Sequence, residues 1–410
     1  MSAFGETEQE QRNKKKPNPD VDTIASFVLQ NWSKTVIPAS VKRIDSYDDA
    51  NFYLEAVGNT GSKGSYLVKY YNAVETVCPD ILHGLSHMLN SVNDNIKIPL
   101  QVPTIIPPSG NSENNFVFDT ACKTAEGGAE KVAVRLFHWI HGTTMSRMKP
   151  NLRLMTELGT GIGHVWQSLR EFDHPSFHRT HLWDLKQFSM SYPLLSYVED
   201  PLVREHIQSV HSLYTETILP VSDQFKQSVI MGDCNDANVI VTDVANAADA
   251  ADCKVEGLID FSDAVHTWSV NEIAIAMAYA LLNAYGKEAE HRHKSIGALL
   301  AGYTSVHPLS DVEIQSLPVL ILTRLSISVM VGACAISKSP DDAYLKLHAV
   351  PGRDAIKFLC SVDLSKHSQF FKRIQQTFAS TSTTTSSTCS NDNSLTQDAV
   401  YDSLISECYM

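Results

Sequence analysis

The chain has 410 residues, of which 43% are hydrophobic and 19% are charged, and its formal net charge is −13 at pH 7. This composition is too apolar for a generally disordered protein, and the length allows two domains with a large core. Because an acidic surface repels phosphate backbones, the charge predicts that nucleic acid is not a partner.

The first 138 residues have the pattern of an antiparallel sheet that carries helices. Residues 1–20 are polar and predict a disordered tail, with a nuclear signal at Lys14-Lys15-Lys16 as the alternative interpretation. Apolar residues at helical spacing predict a first helix over 21–33, and Pro79 opens a second helix over 79–91. Strand-forming residues between turn signals predict strands over 41–45, 51–57, 65–71, 114–119 and 131–138.

The pattern changes to helical after residue 140. Gly159, Gly161 and Gly163 resemble a dinucleotide-binding fingerprint, but no strand precedes them and the helical period continues through them. These glycines therefore predict close packing between helices. Apolar positions follow the helical period over 152–169, 202–217, 270–285 and 313–335.

Two polar segments interrupt or follow these helices. Residues 242–254 predict a loop between two short strands, and the Ser/Thr-rich segment 377–410 predicts a flexible tail, because it cannot bury enough apolar surface to offset its ordering entropy. The predicted boundaries are therefore a tail over 1–20, a nucleotide-binding sheet lobe over 21–138, a helical lobe over 139–376 and a second tail.

Cysteine usage and hydropathy indicate where the protein works. The eight cysteines are scattered and form no CxxC pair, which indicates a reducing compartment and gives little support to a zinc site. The start of the chain does not have the pattern of a signal peptide, and no apolar run is expected to reach the roughly 18–20 residues that cross a bilayer. The sequence predicts a cytoplasmic protein without a membrane partner, and it leaves the oligomeric state open.

The most informative segment is 229–241, in which a polar turn separates two apolar runs. Asp233 and Asn238 stand five residues apart in this turn, and Asp260 follows the next short apolar run. Upstream, Lys69 lies in a predicted strand. Taken alone, the turn is also compatible with a simple Asx-rich hairpin, because Asn, Asp and Gly dominate such turns.

Phosphoryl transfer uses the side chains that this pattern provides. A carboxylate orients the attacking hydroxyl and accepts its proton, an amide and a second carboxylate hold Mg²⁺, and a lysine contacts the α- and β-phosphates. Asp233 is therefore the candidate base, Asn238 and Asp260 are the candidate metal ligands, and Lys69 is the candidate phosphate lysine. Their order along the chain matches that of protein kinases.

The segment 229–241 resembles the catalytic loop of the aminoglycoside-phosphotransferase family, in which His-Gly-Asp is followed by four residues and Asn. Other segments are similar to the branch of that family that phosphorylates 5-hydroxy-L-lysine, and the resemblance covers roughly residues 25–370. The segments that carry it are 45–51, 135–142, 177–179, 183–185, 235–238 and 259–263.

This resemblance implies an α+β, bilobal protein-kinase-like fold with an antiparallel-sheet N-lobe and a mainly helical C-lobe. It also implies transfer of the γ-phosphoryl group of GTP, or of ATP, to the hydroxyl of 5-hydroxy-L-lysine, with Mg²⁺ as cofactor. The nucleotide is expected between the lobes. The residues expected to contact it, besides Lys69, are Asn51, Leu136, Phe137, His138 and Trp139.

Two acidic residues are candidates for contact with the substrate amine. Asp263 follows the metal aspartate, with capping of the next helix as its alternative role, and Asp184 lies in the family-like segment 183–185. Glu272 begins an apolar helix and is expected to be structural.

Three positions depart from the family pattern. Met231 replaces the histidine that orients the catalytic loop, and methionine fills space but donates no hydrogen bond. Ser262 replaces a glycine. His83 stands where a helical glutamate should pair with Lys69, so Glu75 or Asp80 must substitute if that lysine is to be held.

Two alternative functions stay open, and only the second rests on the departures at Met231 and His83. One is a kinase for another amino alcohol, such as homoserine, choline or an aminoglycoside. The other is a catalytically weak pseudokinase that binds nucleotide as a regulatory module. The presence of Asp233, Asn238 and Asp260 together favours an active enzyme.

Overall fold

The computed structural model describes residues 14–46, 49–76, 79–110, 115–125, 127–243, 253–338, 349–379 and 393–409. The chain divides into two compact units. The N-terminal unit comprises residues 1–93 and 102–140, and the C-terminal unit comprises residues 94–101 and 141–410.

One antiparallel sheet forms the centre of the N-terminal unit. Its described strands are β1 (Lys34–Val36), β2 (Lys42–Ile44), β3 (Ala50–Gly58), β4 (Lys63–Tyr70), β5 (Ile105–Ile106), β6 (Val117–Lys123) and β7 (Ala129–His138). Along the sheet the order is β1-β3-β4-β7-β5, while β2 pairs with β3 and β6 pairs with β7. The predicted antiparallel sheet is confirmed.

Helices pack against both faces of this sheet. They are α1 (Val21–Trp32), α2 (Ala73–Thr76) and α3 (Pro79–Asn95). Helix α1 lies with the side chains of Val134 and Leu136, and α3 contacts Arg135 between them, whose side chain points to the opposite face. The Asp20 carboxylate caps α1 by accepting a hydrogen bond from the Thr23 N–H at 2.8 Å. Ile24, Val28 and Trp32 recur at helical spacing on α1, and all three are buried in one apolar cluster with alternate residues of β3.

The described part of the first predicted tail is ordered against β6. The Asn18 N–H donates to the Lys123 carbonyl at 2.7 Å, and Pro17 forms a bridge with Thr124. The expectation of disorder is therefore wrong for 14–20, because main-chain pairing with a strand edge requires no apolar side chains. Residues 1–13 lie outside the described residues.

The C-terminal unit is mainly helical. Its described helices are α4 (Leu152–Leu169), α5 (Phe188–Ser191), α6 (Pro201–Leu213), α7 (Val270–Asn283), α8 (Ala289–Val306), α9 (Asp311–Lys338), α10 (Ala349–Cys360), α11 (Leu364–Ala379) and α12 (Asn393–Tyr409). Its short strands are β8 (Thr143–Thr144), β9 (Gln227–Ile230), β10 (Val239–Val241), β11 (Val255–Leu258) and β12 (Val265–Trp268).

These short strands form two small sheets that carry the polar turns. The first has the order β11-β10-β8, and the second pairs β12 with β9. The predicted loop over 242–254 connects β10 to β11, and its ends meet where the Thr242 N–H donates to the Lys254 carbonyl at 3.0 Å. Residues 244–252 of that loop lie outside the described residues.

The glycines of α4 permit close contact with α8, as predicted. A Cβ on Gly159 would lie 1.9 Å from the Leu299 carbonyl oxygen, and a Cβ on Gly302 would lie 2.0 Å from the Thr156 carbonyl oxygen. A Cβ on Gly163 would lie 2.9 Å from Val306. Only glycine fits at such helix contacts.

Helix α9 is long and apolar enough to cross a membrane, with an 18-residue window of mean hydropathy 2.1. The expectation that no segment reaches this length is therefore wrong, because serines and threonines interrupt the apolar run without making the helix polar. Within the protein, 67% of that window is buried, and a core helix meets the same criterion.

The C-terminal segment also differs from its prediction, because residues 393–409 form helix α12 rather than a flexible tail. The Lys294 ammonium of α8 lies 2.5 Å from Asp402 and 3.3 Å from Asp398 of α12. Tyr401 and Leu404 of the same helix are buried. The intervening Ser/Thr-rich residues, 380–392, lie outside the described residues.

Candidate active site

The candidate catalytic turn begins where β9 ends. Gly232 has a φ of +82°, and a Cβ at this position would lie 2.8 Å from the Asp263 carbonyl oxygen, so only glycine fits. Glu272 of α7 is buried and accepts a hydrogen bond from the Met231 N–H at 2.6 Å. Burial raises the pKa of Glu272 to about 7, and the main-chain donors of Met231 and Gly232 oppose that rise.

These contacts show how the turn is held although Met231 replaces the histidine of the family pattern. The Met231 side chain is 1% exposed and fills space, while the main chain of the turn is held by the Glu272 carboxylate. The turn is thus anchored through its backbone and does not depend on a side-chain donor at position 231. Glu272 has the structural position that we expected for it.

Asp233 lies in this turn, and both of its carboxylate oxygens accept hydrogen bonds. Oδ1 accepts from the Tyr279 hydroxyl at 2.9 Å and from the Arg324 guanidinium at 2.8 Å. Oδ2 accepts from the side-chain amides of Asn235 at 2.7 Å and Asn238 at 3.1 Å. The carboxylate is therefore fixed in orientation and remains 20% exposed.

Arg324 and Tyr279 are site residues that the sequence analysis missed. Arg324 is 2% exposed, its guanidinium lies 4.7 Å from the Trp183 ring centre and 5.3 Å from that of Tyr279, and it also donates to the Trp183 carbonyl at 3.2 Å. Burial raises the pKa of Asp233, and the Arg324 charge opposes that rise. The available signal was a single arginine in the apolar helix α9.

Asn238 and Asp260 flank the β10–β11 hairpin. The Ile259 N–H donates to the Asn238 carbonyl at 2.9 Å, which places the two candidate metal ligands at the same end of the hairpin. The Asn238 amide nitrogen donates to the carbonyl and carboxylate of Asp233, so the orientation of its side-chain oxygen is set. Asp260 has a φ of +60° and accepts hydrogen bonds from the N–H and hydroxyl of Ser262.

Asp233, Asp260 and Asp263 interact electrostatically. Burial, followed by the charge of Asp233, raises the pKa of Asp263 to about 7, and the charge of Asp260 also contributes. The His181 imidazole lies 3.5 Å from Asp263. Clustered carboxylates with an adjacent amide oxygen are a suitable donor set for a hard divalent cation such as Mg²⁺, which would relieve this repulsion.

Asp184 is fixed within the C-terminal unit. It is 4% exposed, caps a short 3₁₀ helix through the Lys186 N–H, and accepts hydrogen bonds from Thr267 at 2.7 Å and Asn271 at 3.4 Å. Burial raises its pKa. These contacts link the segment around Trp183 to β12 and α7.

In the N-terminal unit, Lys69 is paired with an acidic residue that was not expected. The Lys69 ammonium lies 2.9 Å from the carboxylate of Asp49, and the two side chains are only 9% and 13% exposed. The other Asp49 oxygen accepts from the Asn72 N–H at 2.8 Å. Lys69 is thus held by the residue that precedes β3, next to its own strand β4.

Helix α3 is attached to the sheet by a buried arginine. Arg135 of β7 is fully buried and donates to the Leu82 carbonyl and to the Ser86 hydroxyl of α3. His83, at the position of the expected glutamate, packs against Phe116 with ring centres 5.0 Å apart. Lys69 has an acidic partner in Asp49 although His83 stands at the position of the expected glutamate.

The remaining nucleotide candidates lie in the same unit. Asn51 stands opposite Lys69 in the strand register, and among the described residues its buried side-chain oxygen has no hydrogen-bond partner. Leu136 and Phe137 are buried in β7 and paired with β5. His138 and Trp139 lie in the segment expected to contact the nucleotide base. Their main-chain N–H groups donate hydrogen bonds to the carbonyls of Thr104 and Ser65, respectively. Two residues of the segment 45–51, at positions 47 and 48, lie outside the described residues.

An antiparallel-sheet unit, a mainly helical unit and the set of Asp233, Asn238 and Asp260 are the features of a kinase-like phosphotransferase. A model of the Phosphotransferase enzyme family matches residues 42–309, and the chain therefore belongs to this family. It is similar to hydroxylysine kinase from Xenopus laevis, with 25% identity over 350 residues that cover 83% of this chain and 89% of that protein. It is also similar to hydroxylysine kinase from Mus musculus, with 24% identity over 77% of this chain and 82% of that protein.

Solved structures agree on the fold. The structure of an amicoumacin kinase in complex with AMP-PNP, Ca²⁺ and Ami matches with a TM-score of 0.59 and 15% identity, over 87% of this chain and 97% of that chain. A microcompartment-associated aminopropanol kinase matches with a TM-score of 0.58 and 14% identity, over 87% and 98%. The predicted kinase-like fold is confirmed, and the protein is a small-molecule kinase with an alcohol group as acceptor.

Proposed function

We propose that this protein transfers the γ-phosphoryl group of GTP, with ATP as the alternative donor, to the hydroxyl of 5-hydroxy-L-lysine. The observation that carries the chemistry is the doubly anchored carboxylate of Asp233 beside the Asn238–Asp260 hairpin. The acceptor is supported by the hydroxylysine kinases that align with more than three quarters of the chain.

Asp233 is the proposed base. Its carboxylate accepts the proton of the acceptor hydroxyl as the hydroxyl oxygen forms a bond to the γ-phosphorus and the bond to the nucleoside diphosphate breaks. Arg324 and Tyr279 fix the carboxylate through Oδ1, which leaves Oδ2, bonded only to side-chain amides, as the oxygen that meets the acceptor. Positioning supplies most of the rate enhancement in such a transfer.

Asn238 and Asp260 are the proposed ligands of Mg²⁺. Magnesium, when bound, would neutralise charge on the phosphate oxygens of the nucleotide. Lys69, held by Asp49, is the proposed contact for the α- and β-phosphates. Asn51, opposite Lys69 in the strand register, offers to the nucleotide a buried oxygen that has no hydrogen-bond partner within the described part of the chain.

Asp263 is the proposed contact for an amine of the acceptor. Burial and the charge of Asp233 raise the pKa of Asp263 to about 7. An ammonium group of the acceptor beside Asp263 would lower this pKa again and stabilise the ionised carboxylate. Asp184 is assigned a structural role instead, because hydrogen bonds to β12 and α7 fix its carboxylate.

Release of nucleoside diphosphate by the purified protein tests this proposal. The assay contains Mg²⁺, either GTP or ATP, and a panel of 5-hydroxy-L-lysine, homoserine, choline and an aminoglycoside. The inactive variant is Asp233→Asn, and the matched control is Asp223→Asn, which changes an exposed aspartate in the same unit. We expect release that depends on hydroxylysine, loss of about 10²-fold or more in Asp233→Asn, and full activity in the control.

The other outcomes separate the alternatives. Release that depends on a different acceptor retains the kinase chemistry and overturns the assignment of hydroxylysine. Binding of nucleotide without turnover of any acceptor supports the pseudokinase instead. The cytoplasm is the proposed location, and fractionation of cells that express the full chain tests it.

A further inference from the structure

A cluster of metal-ligating side chains lies outside the candidate active site. Asp173, His178 and His266 each present one ligand atom, and these three atoms lie within 4.8 Å of one another. The His178 Nε2 lies 2.7 Å from the Asp173 carboxylate, and the imidazoles of His178 and His266 stack with centres 4.2 Å apart and planes inclined by 22°.

We propose that Asp173, His178 and His266 form a site for a divalent cation of the zinc class, which links the segment after α4 to β12. Two imidazoles and one carboxylate suit Zn²⁺ and Co²⁺ better than Mg²⁺ or Ca²⁺, which prefer oxygen ligands. Three protein ligands leave one position of a tetrahedral ion for water.

The local fold brings the ligands together in a defined way. His266 lies on β12, where it pairs with Val229 of β9. The segment that carries the other two ligands is anchored by the buried ring of Phe177 and by Arg179, whose guanidinium donates to the Ser262 and Ala264 carbonyls at 2.8 and 2.9 Å. Because both parts are fixed, the ligands are partly preorganised.

Closing the site around one ion requires the His178 ring to turn as well as to shift, because the planes of the two imidazoles are inclined by only 22° and their nitrogen lone pairs are nearly parallel. Two ligand atoms bound to one tetrahedral Zn²⁺ lie roughly 3.4 Å apart, given bond lengths of about 2.1 Å. The side chains of His178 and Asp173 are 47% and 62% exposed, so they are free to make these movements.

Titration of the full chain with Co²⁺ and Zn²⁺ tests the proposal, after any polyhistidine tag has been removed. Excess Mg²⁺ is present so that the proposed magnesium site is filled. We expect the unmodified chain to bind one Zn²⁺, to give a visible Co²⁺ absorption band, and to gain in melting temperature with Zn²⁺. Affinity should fall by at least about tenfold in His266→Gln, His178→Ala and Asp173→Asn.

Two variants serve as controls. His291→Gln changes an exposed histidine of α8 away from the cluster and should retain the site, and so should Asp260→Asn, which changes the proposed magnesium site. Melting curves recorded without metal show that each variant is folded, and the exposed His178→Ala provides a test that is independent of strand β12.

Several results would overturn the proposal. They are an absence of Zn²⁺ binding by the folded, unmodified chain, unchanged affinity in His266→Gln or His178→Ala, and loss of binding in Asp260→Asn. In each of these cases the cluster is a hydrogen-bonded surface group and not a metal site.

Discussion

A buried arginine controls the charge state that Asp233 can adopt. The Arg324 guanidinium lies 2.8 Å from the carboxylate and has little access to water, so their attraction is weakly screened. A base must be deprotonated to accept a proton, and burial alone works against that form. Arg324 thus compensates for the burial that shapes the site.

The variant Arg324→Met should move the acidic limb of the kcat/KM profile to higher pH. Without the guanidinium, only side-chain hydrogen bonds, such as those from Tyr279 and Asn235, oppose the rise that burial causes in the pKa of Asp233, so a larger share of the enzyme holds a protonated base at neutral pH. Loss of one member of a buried pair also costs roughly 3–5 kcal/mol of stability, so rates are measured on protein shown to be folded.

Two milder variants calibrate this result. Arg324→Lys keeps the charge and should shift the limb less, whereas Tyr279→Phe removes one neutral donor to the same oxygen and should shift it least. An Arg324→Met profile that coincides with the unmodified profile would show that Arg324 is structural only.

Gly232→Ala should abolish most activity through the geometry of the turn. Its φ of +82° and the 2.8 Å approach of a Cβ to the Asp263 carbonyl oxygen require the main chain to shift. A displacement of the base by about 1 Å can reduce kcat by about 10²-fold. Nucleotide affinity, measured by equilibrium binding, should change less than kcat.

Gly286→Ala is the matched control for this variant. It has a φ of +74° but no atom within 4 Å of an added Cβ, so it carries the same backbone strain without the clash. Equal loss of activity in the two variants would contradict a specific role for the Gly232 turn.

At the scale of elements, a histidine cluster joins α8, α11 and α12. The His367 Nε2 lies 3.2 Å from the Leu359 carbonyl, to which it can only donate, and its Nδ1 lies 2.7 Å from the Tyr409 hydroxyl, which donates to it in the neutral ring. His293 packs against Tyr409 with ring centres 4.0 Å apart. Burial lowers the pKa of His293 to about 3 and that of His367 to about 4.

This cluster should make the protein less stable in mild acid. Above about pH 7 both histidines are neutral whether the chain is folded or unfolded. As the pH falls below 6.5, both histidines become protonated in the unfolded chain, whereas in the folded chain they stay neutral until about pH 4 for His367 and about pH 3 for His293. The free energy of unfolding therefore decreases over this pH range. Urea unfolding at pH 7.5 and pH 5 should show a loss of roughly 1–2 kcal/mol for each histidine.

The variant His293→Leu isolates one contribution. Among the described residues, neither ring nitrogen of His293 has a hydrogen-bond partner, so leucine removes a titrating group without leaving a polar atom unpaired. The loss between pH 7.5 and pH 5 should shrink by about half. An unchanged loss would place the acid sensitivity elsewhere in the protein.

The sequence predicted those elements whose signal is local. The β9 turn could be found because Asp233, Asn238 and Asp260 lie in two short segments with fixed spacing. Helix α12 could not, because its segment is polar and mixed, and its helix is stabilised by contacts with α8, through Lys294, and with α11, through the stacking of Tyr401 on Phe378. Tertiary contacts overrode the composition of that segment.

Contacts between distant segments explain what the sequence left open in the whole molecule. Arg324 reaches Asp233 from 91 residues away, and no spacing rule connects a lone arginine in α9 with a turn after β9. Lys69 pairs with Asp49 because β3 and β4 lie side by side, whereas the family pattern directed attention to helix α3. Both pairs form because packing brings distant segments together, and no sequence motif identifies either pair.

The net charge of −13 should favour a cationic acceptor over the whole molecular surface. If the acceptor is hydroxylysine, its net charge of about +1 at neutral pH is attracted by the acidic surface and by the carboxylates around Asp233. At saturating nucleotide, KM for hydroxylysine should rise by roughly two- to fivefold when salt is raised from low concentration to about 0.3 M, because the ions screen this attraction. The rise should be smaller in Asp263→Asn, which removes the charge proposed to meet the amine, and absent for a zwitterionic acceptor such as homoserine. A KM for hydroxylysine that does not depend on salt would mean that shape and hydrogen bonding select the acceptor, and the role of Asp263 would then have to be reassigned.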